Sequence, residues 1–368
     1  MASIDRYGSQ WRARWRTPDG KSRSRVFKRK LDAERWLTSV EHNKLTGGYV
    51  DPAAGKVTFR SYAEEWRARQ VWRPSTAENT AAQLARVFPV IGDRPLAQLR
   101  TSELQAMVRK LSDNGLAPAT VQATYRTVSS VLKAAVVDRV LASNPAVGVK
   151  VPRVDCPQVR PLERHQIEAL AGAVPERVRA TVLFAAGSGQ RMGEVLGLTV
   201  DRVDFLRRTV TVDRQLVTRG KAEPTFGPPK TKASHRTVPL ASAVLEELAG
   251  HLSSFPAVAN GLVFTNDRGA PWGRTTMAAV IARGRTVAGL DGSVTFHDLR
   301  HHFASVLIAA GCSVKAVQSA LGHANASETL DTYSHLWPAD ADRIRDAVQA
   351  LHGPSRVSAV SRATENPL

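Results

Sequence analysis

Gly189-Gln190-Arg191-Met192-Gly193-Glu194 is the stretch on which the reading of this chain turns. Three others follow it in order: His297-Asp298-Leu299-Arg300, Leu321-Gly322-His323, and Tyr333. Two arginines, two histidines and a tyrosine make a set suited to handling a phosphodiester with a nucleophile of its own. Each arginine offers a planar fork that donates paired hydrogen bonds to phosphate oxygens and keeps its charge. The tyrosine offers an oxygen able to attack phosphorus. Most DNA-cutting enzymes instead hold Mg²⁺ in clustered carboxylates, and the sequence has no obvious cluster of that kind. Neither a metal nor a cofactor is expected.

Taken alone, each stretch also has a plainer reading. On a helix, at about 100° per residue, Phe296, Leu299, Phe303, Val306 and Ala310 share one side and are expected in the core. His297, Arg300 and His301 share the other. An arginine and a histidine three positions apart can grip one phosphate, or they can belong to a solvated face. Arg191 follows the turn Gly187-Ser188-Gly189-Gln190. Glu194 can hold the orientation of Arg191 or form an ordinary intrahelical pair with it. Leu321-Gly322-His323-Ala324 marks a turn before another helix. Order and spacing together raise the specificity above that of any one stretch.

At 368 residues the chain is long enough for two or three domains. Hydrophobic residues make up 43% and charged residues 23%, as in ordinary globular proteins. The charge balance is less ordinary: 51 Lys and Arg against 33 Asp and Glu leave +18. Such an excess suits a long polyanion, because each neutralised phosphate releases condensed counterions. No apolar run approaches the ~18 residues that span a bilayer, and Met1-Ala2-Ser3-Ile4-Asp5-Arg6 has no hydrophobic signal core. No membrane partner is expected. Cys156 and Cys312 are the only cysteines, too few for a disulfide framework or a Cys-based zinc site. The chain reads as intracellular.

Patterning divides the chain. Residues 1–48 hold twelve Lys and Arg against five Asp and Glu. Residues 11–16 and 24–27 alternate like half-buried strands, joined by the turn Thr17-Pro18-Asp19-Gly20, and a helix is expected from Leu31 to about Lys44. A sheet backed by one helix could lay a strand face in a DNA groove. Arg12, Arg14, Arg16, Arg23, Arg25 and Lys28 are the candidate contacts; Trp11, Trp15 and Trp36 are expected in the core. Residues 47–55 read as a linker. Residues 56–150 read as all-helical and basic, with helix starts at Ser102 and Pro118 and a stop at Asn144-Pro145, which suggests a clamp on duplex DNA. Residues 151–161, with three prolines, make a second linker. From about 160 to 350 helices mix with a few strands, among them 209–212 and 236–240. Residues 353–368 read as a flexible tail.

The series Gly-x-Arg-x-Gly-Glu, His-x-Leu-Arg-His, Leu-Gly-His and Thr-x-x-x-Tyr-x-His (Thr329, Tyr333, His335) resembles the tyrosine recombinase family, the phage-integrase type of site-specific recombinases, over about residues 160–340. The helical segment resembles that family's core-site-binding domain. The N-terminal segment resembles, by type and position, its arm-site-binding domain. The resemblance implies a multidomain fold: a small N-terminal β-sheet plus helix domain (1–48), an all-α core-binding domain (56–150) and a mainly α (α+β) catalytic domain (160–350).

It also implies roles. Tyr333 is the nucleophile, forming a 3′-phosphotyrosyl bond and freeing a 5′-hydroxyl. Arg191 and Arg300 hold the nonbridging oxygens, His297 and His323 donate hydrogen bonds there, and His297 takes the tyrosine proton. Glu194 orients Arg191. A lysine of a β-hairpin loop protonates the leaving oxygen; Lys230 and Lys232 are both candidates, Lys230 preferred because it opens the loop after the prolines. His301, His302 and His335 are supporting or structural. The implied activity is cleavage and rejoining of DNA that integrates or excises a phage or mobile element. The implied partners are double-stranded attachment sites of core and arm type, three further copies in a homotetramer, an accessory DNA-bending protein and a directionality factor. The implied setting is the cytoplasm of a bacterial host, at the nucleoid. Competing readings are a Xer-like chromosome-dimer-resolving recombinase, a type IB topoisomerase-like enzyme and a non-catalytic DNA-binding regulator. The basic N-terminal segment argues against the first and the complete residue set against the last.

Overall fold

The computed structural model describes residues 2–352 apart from 19, 47, 52, 155–157, 218–222, 259 and 338–340. The chain forms two compact units, residues 1–156 and 157–368.

The first unit begins with an antiparallel meander of β1 (Ser3–Tyr7), β2 (Gln10–Arg16) and β3 (Ser22–Phe27), followed by α1 (Lys30–Leu45). Side chains alternate across a strand, so the register decides which face each residue serves. Trp11, Ala13 and Trp15 lie opposite Phe27, Arg25 and Arg23, on the face that α1 covers. Trp15 is buried, meets Trp36 edge to face with ring centroids 4.4 Å apart, and donates from Nε1 to Tyr49 Oη at 2.8 Å. Trp11 and Trp36 are only half-buried. Arg12, Arg14 and Arg16 occupy the other, uncovered face, opposite Val26, Ser24 and Ser22.

Residues 47–55 are less of a linker than their composition suggests. Tyr49 completes the small core with Trp15 and Val40, and Asp51 binds Arg23 at 2.7 Å. A 3-10 turn at Ala54–Lys56 follows.

Four helices complete this unit: α2 (Phe59–Ala68), α3 (Pro74–Ile91), α4 (Thr101–Asp113) and α5 (Pro118–Val137). Their starts are written locally. Thr58 Oγ1 accepts from Ser61 N, and Pro74 and Pro118 open their helices, where a missing N–H costs nothing. Glu103 accepts from Arg100 N at 3.0 Å, so α4 begins one residue before the expected Ser102. The last helix stops at Val137, not at Asn144-Pro145. Arg139 adopts φ +56° just after it, and Asn144 instead closes a turn by accepting from Ala146 N. Leu84, Val87, Leu104, Met107, Leu111, Val128 and Leu132 form a core at helical spacing.

The second unit is built around α7 (Glu176–Ser188), which packs against α6 (Arg164–Ala173), α9 (Ser242–Ser254) and α11 (Phe296–Ala309). Burial on several sides at once, from Val178 through Thr181, Phe184 and Ala185, marks α7 as central. The short α8 (Met192–Leu196) leads to a small antiparallel sheet of β4 (Val203–Asp204), β5 (Thr209–Val212) and β8 (Arg236–Pro239). A separate hairpin pairs β6 (Gln215–Val217) with β7 (Thr225–Gly227). The remaining helices are α10 (Arg274–Val287), α12 (Val314–Leu321), α13 (Ala326–Tyr333) and α14 (Ala341–His352). The expected tail at 353–368 lies outside the described residues.

Two local expectations need correction here. Gly187 and Ser188 are the last turn of α7, because packing there outweighs glycine's poor helix propensity, and the turn shrinks to Gly189-Gln190. On α11, Phe296, Leu299 and Phe303 are buried as expected, but Val306 is 50% exposed and Ala310 is an exposed C-cap. The buried side continues instead through Arg300, Ala304 and Ile308. The site covers the helix on a second flank, which buries Arg300, while His297 on the polar side stays exposed.

Candidate active site

Two helix ends set the site. Gly189 caps α7 with φ +61°, and Gly322 caps α12 with φ +68°, a region closed to most side chains. Each turns a carbonyl toward an arginine. Gly189 O accepts from Arg300 Nη1 at 2.8 Å, and Gly322 O accepts from Arg191 Nη2 at 3.3 Å. The tight cap also permits close packing: a Cβ at Gly189 would lie 2.2 Å from the Phe303 ring.

Arg191 is the N-cap residue of α8. Its Nη1 donates to Glu194 Oε1 at 3.1 Å and to Ser234 Oγ at 3.2 Å, while Glu194 Oε2 accepts from its backbone N. Glu194 is itself buried. Burial pushes its carboxyl up, but Arg236 and Arg191 outweigh that, and it stays below the ordinary carboxylate range.

Arg300 is 2% exposed and has no ion pair among the described residues; its Nη2 there has no hydrogen-bond partner. Burial, then the charges of Arg191 and Arg236, lower its pKa. A buried cation with an unused donor among like charges is a site that an anion would relieve.

Around these cations the histidines stay neutral. His323, 6% exposed, faces Thr329 Oγ1 across 2.8 Å from Nδ1. Burial, followed by Arg300, brings its pKa down to about 4. His297 is also brought to about 4, by burial, His301 and Arg300 in that order, although the residue is exposed at the surface. Neutral imidazoles can still donate hydrogen bonds to phosphate oxygens.

Tyr333 ends α13 and is 1% exposed. Its hydroxyl lies 2.8 Å from His301 Nδ1. Burial pushes the phenol up to about 12, against the pull of Arg300. Thus the histidine bonded to the tyrosine is His301, expected only to support, while His297 stands edge-on to His301 with centroids 4.7 Å apart. His302 and His335 bond the carbonyls of Leu162 and Val159 and tie the segment before α6 to this region.

Lys230 and Lys232 are exposed on the segment between β7 and β8, Lys232 in a 3-10 turn. Ser234 at the end of that turn is buried and bonds both Thr231 Oγ1 and Arg191. The loop is therefore anchored to the arginine, while among the described residues neither lysine forms a hydrogen bond or ion pair with the rest of the site.

Arg236 had no place in the sequence reading. Its side chain is 4% exposed and donates to Glu194 Oε2 at 2.9 Å, Ser234 O at 2.9 Å and Ala320 O at 2.7 Å. A basic residue at the start of a predicted strand was the only signal available.

Residues 160–339 match the phage integrase family, and residues 59–151 match the phage integrase central domain. The chain belongs to the phage integrase family. It is a site-specific recombinase of the tyrosine class. Among relatives of this integrase, a XerC-like tyrosine recombinase of Caldanaerobacter subterraneus is 28% identical over 65% of this chain and 68% of that protein. The integrase of Mycobacterium phage FRAT1 is 26% identical over 80% and 87%. A putative prophage phiRv2 integrase of Mycobacterium tuberculosis is 24% identical over 89% and 88%. The fold is shared with the Tn1549 transposon integrase solved with transposon right end DNA (TM-score 0.71, 22% identity, 81% of this chain and 100% of that one). It is also shared with a lambda integrase dimer bound to a core site (TM-score 0.61, 18% identity, 92% and 96%). Among the described residues, no helix is long and apolar enough to cross a membrane, and no group of His, Cys, Asp and Glu could hold a metal ion.

Proposed function

We propose that this recombinase is the integrase of a phage or integrative element, and that Tyr333 cuts DNA at attachment sites through a 3′-phosphotyrosine. The observation that carries the chemistry is the buried Tyr333 beside Arg300, whose Nη2 has no partner among the described residues. The phenol oxygen attacks phosphorus, Arg191 and Arg300 neutralise charge on the nonbridging oxygens, and neutral His297 and His323 donate hydrogen bonds to them. Glu194 keeps Arg191 oriented. Lys230, or Lys232 beside it, protonates the leaving 5′-oxygen. The covalent bond conserves the energy of the phosphodiester, so a second 5′-hydroxyl can reverse the step on a new strand without ATP.

Integrase rather than Xer-like function is supported by extent. The two phage-type integrases align over 80% and 89% of the chain, against 65% for the XerC-like protein. Residues 1–48 then serve as the arm-site domain, with the uncovered face of the sheet on DNA, and residues 56–150 as the clamp on core sites. Exchange between two duplexes needs four active sites, hence a homotetramer on DNA; a lambda integrase has been solved as a tetramer on a Holliday junction. A DNA-bending protein and a directionality factor complete the assembly, in the cytoplasm of a bacterial host, at the nucleoid.

The test is covalent trapping. Nicked duplexes selected for binding to the full chain are incubated in EDTA and resolved on a denaturing gel, beside Tyr333→Phe. An adduct in the wild type that vanishes in the variant supports the reading. Selected DNA that is bound yet never joined to protein overturns it in favour of a DNA-binding regulator.

A further inference from the structure

Away from the catalytic groups, the second unit holds a cavity of about 420 Å³ between α7 and α9. Glu246, Glu247, Gly250 and His251 recur along α9 at helical spacing and line it, together with Glu176 and Arg179 from the first turn of α7. In a chain of net charge +18, this wall sets three carboxylates against one guanidinium. That guanidinium is engaged: Arg179 Nε lies 3.1 Å from Glu247 Oε1. Nearby Arg177 is paired with Asp267 at 3.4 Å. Among the described residues, Glu176 and Glu246 have no ion pair.

A buried imidazole adds a further acceptor. His251 is 5% exposed, and its Nε2 lies 3.3 Å from Val263 O. A carbonyl only accepts, so Nε2 carries the hydrogen and Nδ1 is left as a bare lone pair. Nδ1 has no hydrogen-bond partner among the described residues. Burial, the largest influence, disfavours the imidazolium and keeps the ring neutral. The cavity thus collects acceptors and negative charge, the inverse of a phosphate site. Among the described residues, no three of its carboxylates and imidazole come together closely enough to hold a metal ion. Acceptors spread in this way complement an extended cation that brings several N–H donors. A primary ammonium has three donors and no acceptor.

We propose that this cavity binds a small aliphatic polyamine. One ammonium sits between His251 Nδ1 and the carboxylates of Glu246 and Glu247, a second reaches Glu176, and the methylenes lie along Phe255, which lines the same cavity. Glu247 hydrogen-bonds Arg179 through Oε1, so Oε2 can still accept. The site lies at the start of α7, about 20 Å along that helix from the Gly189 cap that serves Arg300. It is therefore separate from the groups that handle phosphate, and the inference stands apart from the nucleophile reading. Polyamines are counterions of DNA, so the bound cation is one that competes with this protein's own basic residues for phosphates.

The test is calorimetric titration of the full chain, free of DNA, with spermidine as the probe at about 0.15 M salt. One saturable site is expected. Glu246→Gln and Glu176→Gln should each weaken it about 10- to 100-fold, the worth of a hydrogen bond to a charged group. Glu168→Gln, on α6 and outside the cavity, should leave it unchanged. Gly250→Leu keeps every charge and places its Cβ in open space on α9, where leucine is the better helix former. It should stay folded by circular dichroism and lose spermidine because the side chain fills the cavity. The proposal is overturned if spermidine does not bind, or if Glu246→Gln and Gly250→Leu bind it as the wild type does. It is equally overturned if Mg²⁺ gives the same titration, which would reduce the site to diffuse charge. Lysine amide binding more tightly than spermidine would overturn the polyamine in favour of a lysine side chain from a protein partner.

Discussion

Arg236 Nη2 donates to Glu194 Oε2 at 2.9 Å, with the two side chains only 4% and 2% exposed. The pair is the hinge between segments that are remote in the chain. Glu194 carries its other oxygen to Arg191, and the remaining Arg236 donors fix Ser234 in the lysine loop and Ala320 beside the Gly322 cap. One guanidinium thus sets the mutual position of an arginine, a lysine loop and a histidine turn. Breaking a buried pair from one side leaves a charge without compensation, which costs about 3–5 kcal/mol. Arg236→Met should therefore lower the urea midpoint strongly and reduce adduct formation at temperatures where it remains folded. Arg236→Lys keeps the charge but loses the fork, so its stability should recover more than its cleavage rate. Equal recovery of both would show that Arg236 supports the fold alone.

Gly189 tests how much the left-handed cap contributes. Gly189→Ala meets φ +61° and a ring atom of Phe303 at 2.2 Å. Backbone strain of about 1–3 kcal/mol adds to an overpacking cost of about 1–3 kcal/mol. The double variant Gly189→Ala with Phe303→Leu should regain the overpacking part in a thermal melt and keep the strain. If the double variant is no more stable than the single one, the close approach to Phe303 is not what Gly189 is for.

How much of this was legible beforehand follows from the range of each interaction. The helix carrying His297 and Arg300 could be seen from the spacing of Phe296, Leu299 and Phe303, because helical periodicity is local. Val306 and Ala310 fit the same period yet are exposed, since a period says which residues share a side but not where the covering elements end. Arg236 has partners 42 and 84 residues away, and His301 meets Tyr333 across 32. Neither contact leaves a trace in the neighbouring sequence. The docking of Tyr49 on Trp15 was hidden for the same reason, behind glycines that read as a linker.

His323 makes a prediction about pH. Buried and held near 4, it binds no proton in the folded chain over a range where the unfolded chain, near 6.5, does. The unfolded state takes up more protons in that window, so stability is full above about pH 6.5 and falls as pH drops toward 4, by on the order of 2–3 kcal/mol from this group. Urea unfolding at pH 7.5 and 5.0 measures the difference, and His323→Asn should remove this share of it, while His297, also held near 4, keeps its own. An unchanged slope in the variant would place the acid sensitivity elsewhere.

The N-terminal arginines divide into two groups with different expected effects. Arg14 and Arg16 are exposed on the uncovered face of the sheet, where Asp5 holds Arg12 at 2.6 Å and Arg14 at 3.2 Å. Arg23 is engaged by Asp51, and Arg25 lies over the rings of Phe27 and Trp36 at 5.3 and 5.5 Å, on the side of the sheet that faces α1. If the uncovered face meets phosphates, Arg14→Ala and Arg16→Ala should weaken binding to arm DNA and each reduce the salt slope by about one. Arg23→Ala and Arg25→Ala should leave that slope alone and cost about 0.5–1 kcal/mol of stability, since both contacts are partly exposed. Binding isotherms at several salt concentrations, paired with thermal melts, separate the groups. A loss of slope in Arg23→Ala or Arg25→Ala equal to that in Arg14→Ala would mean that DNA is gripped along the β3 edge and not on the open face.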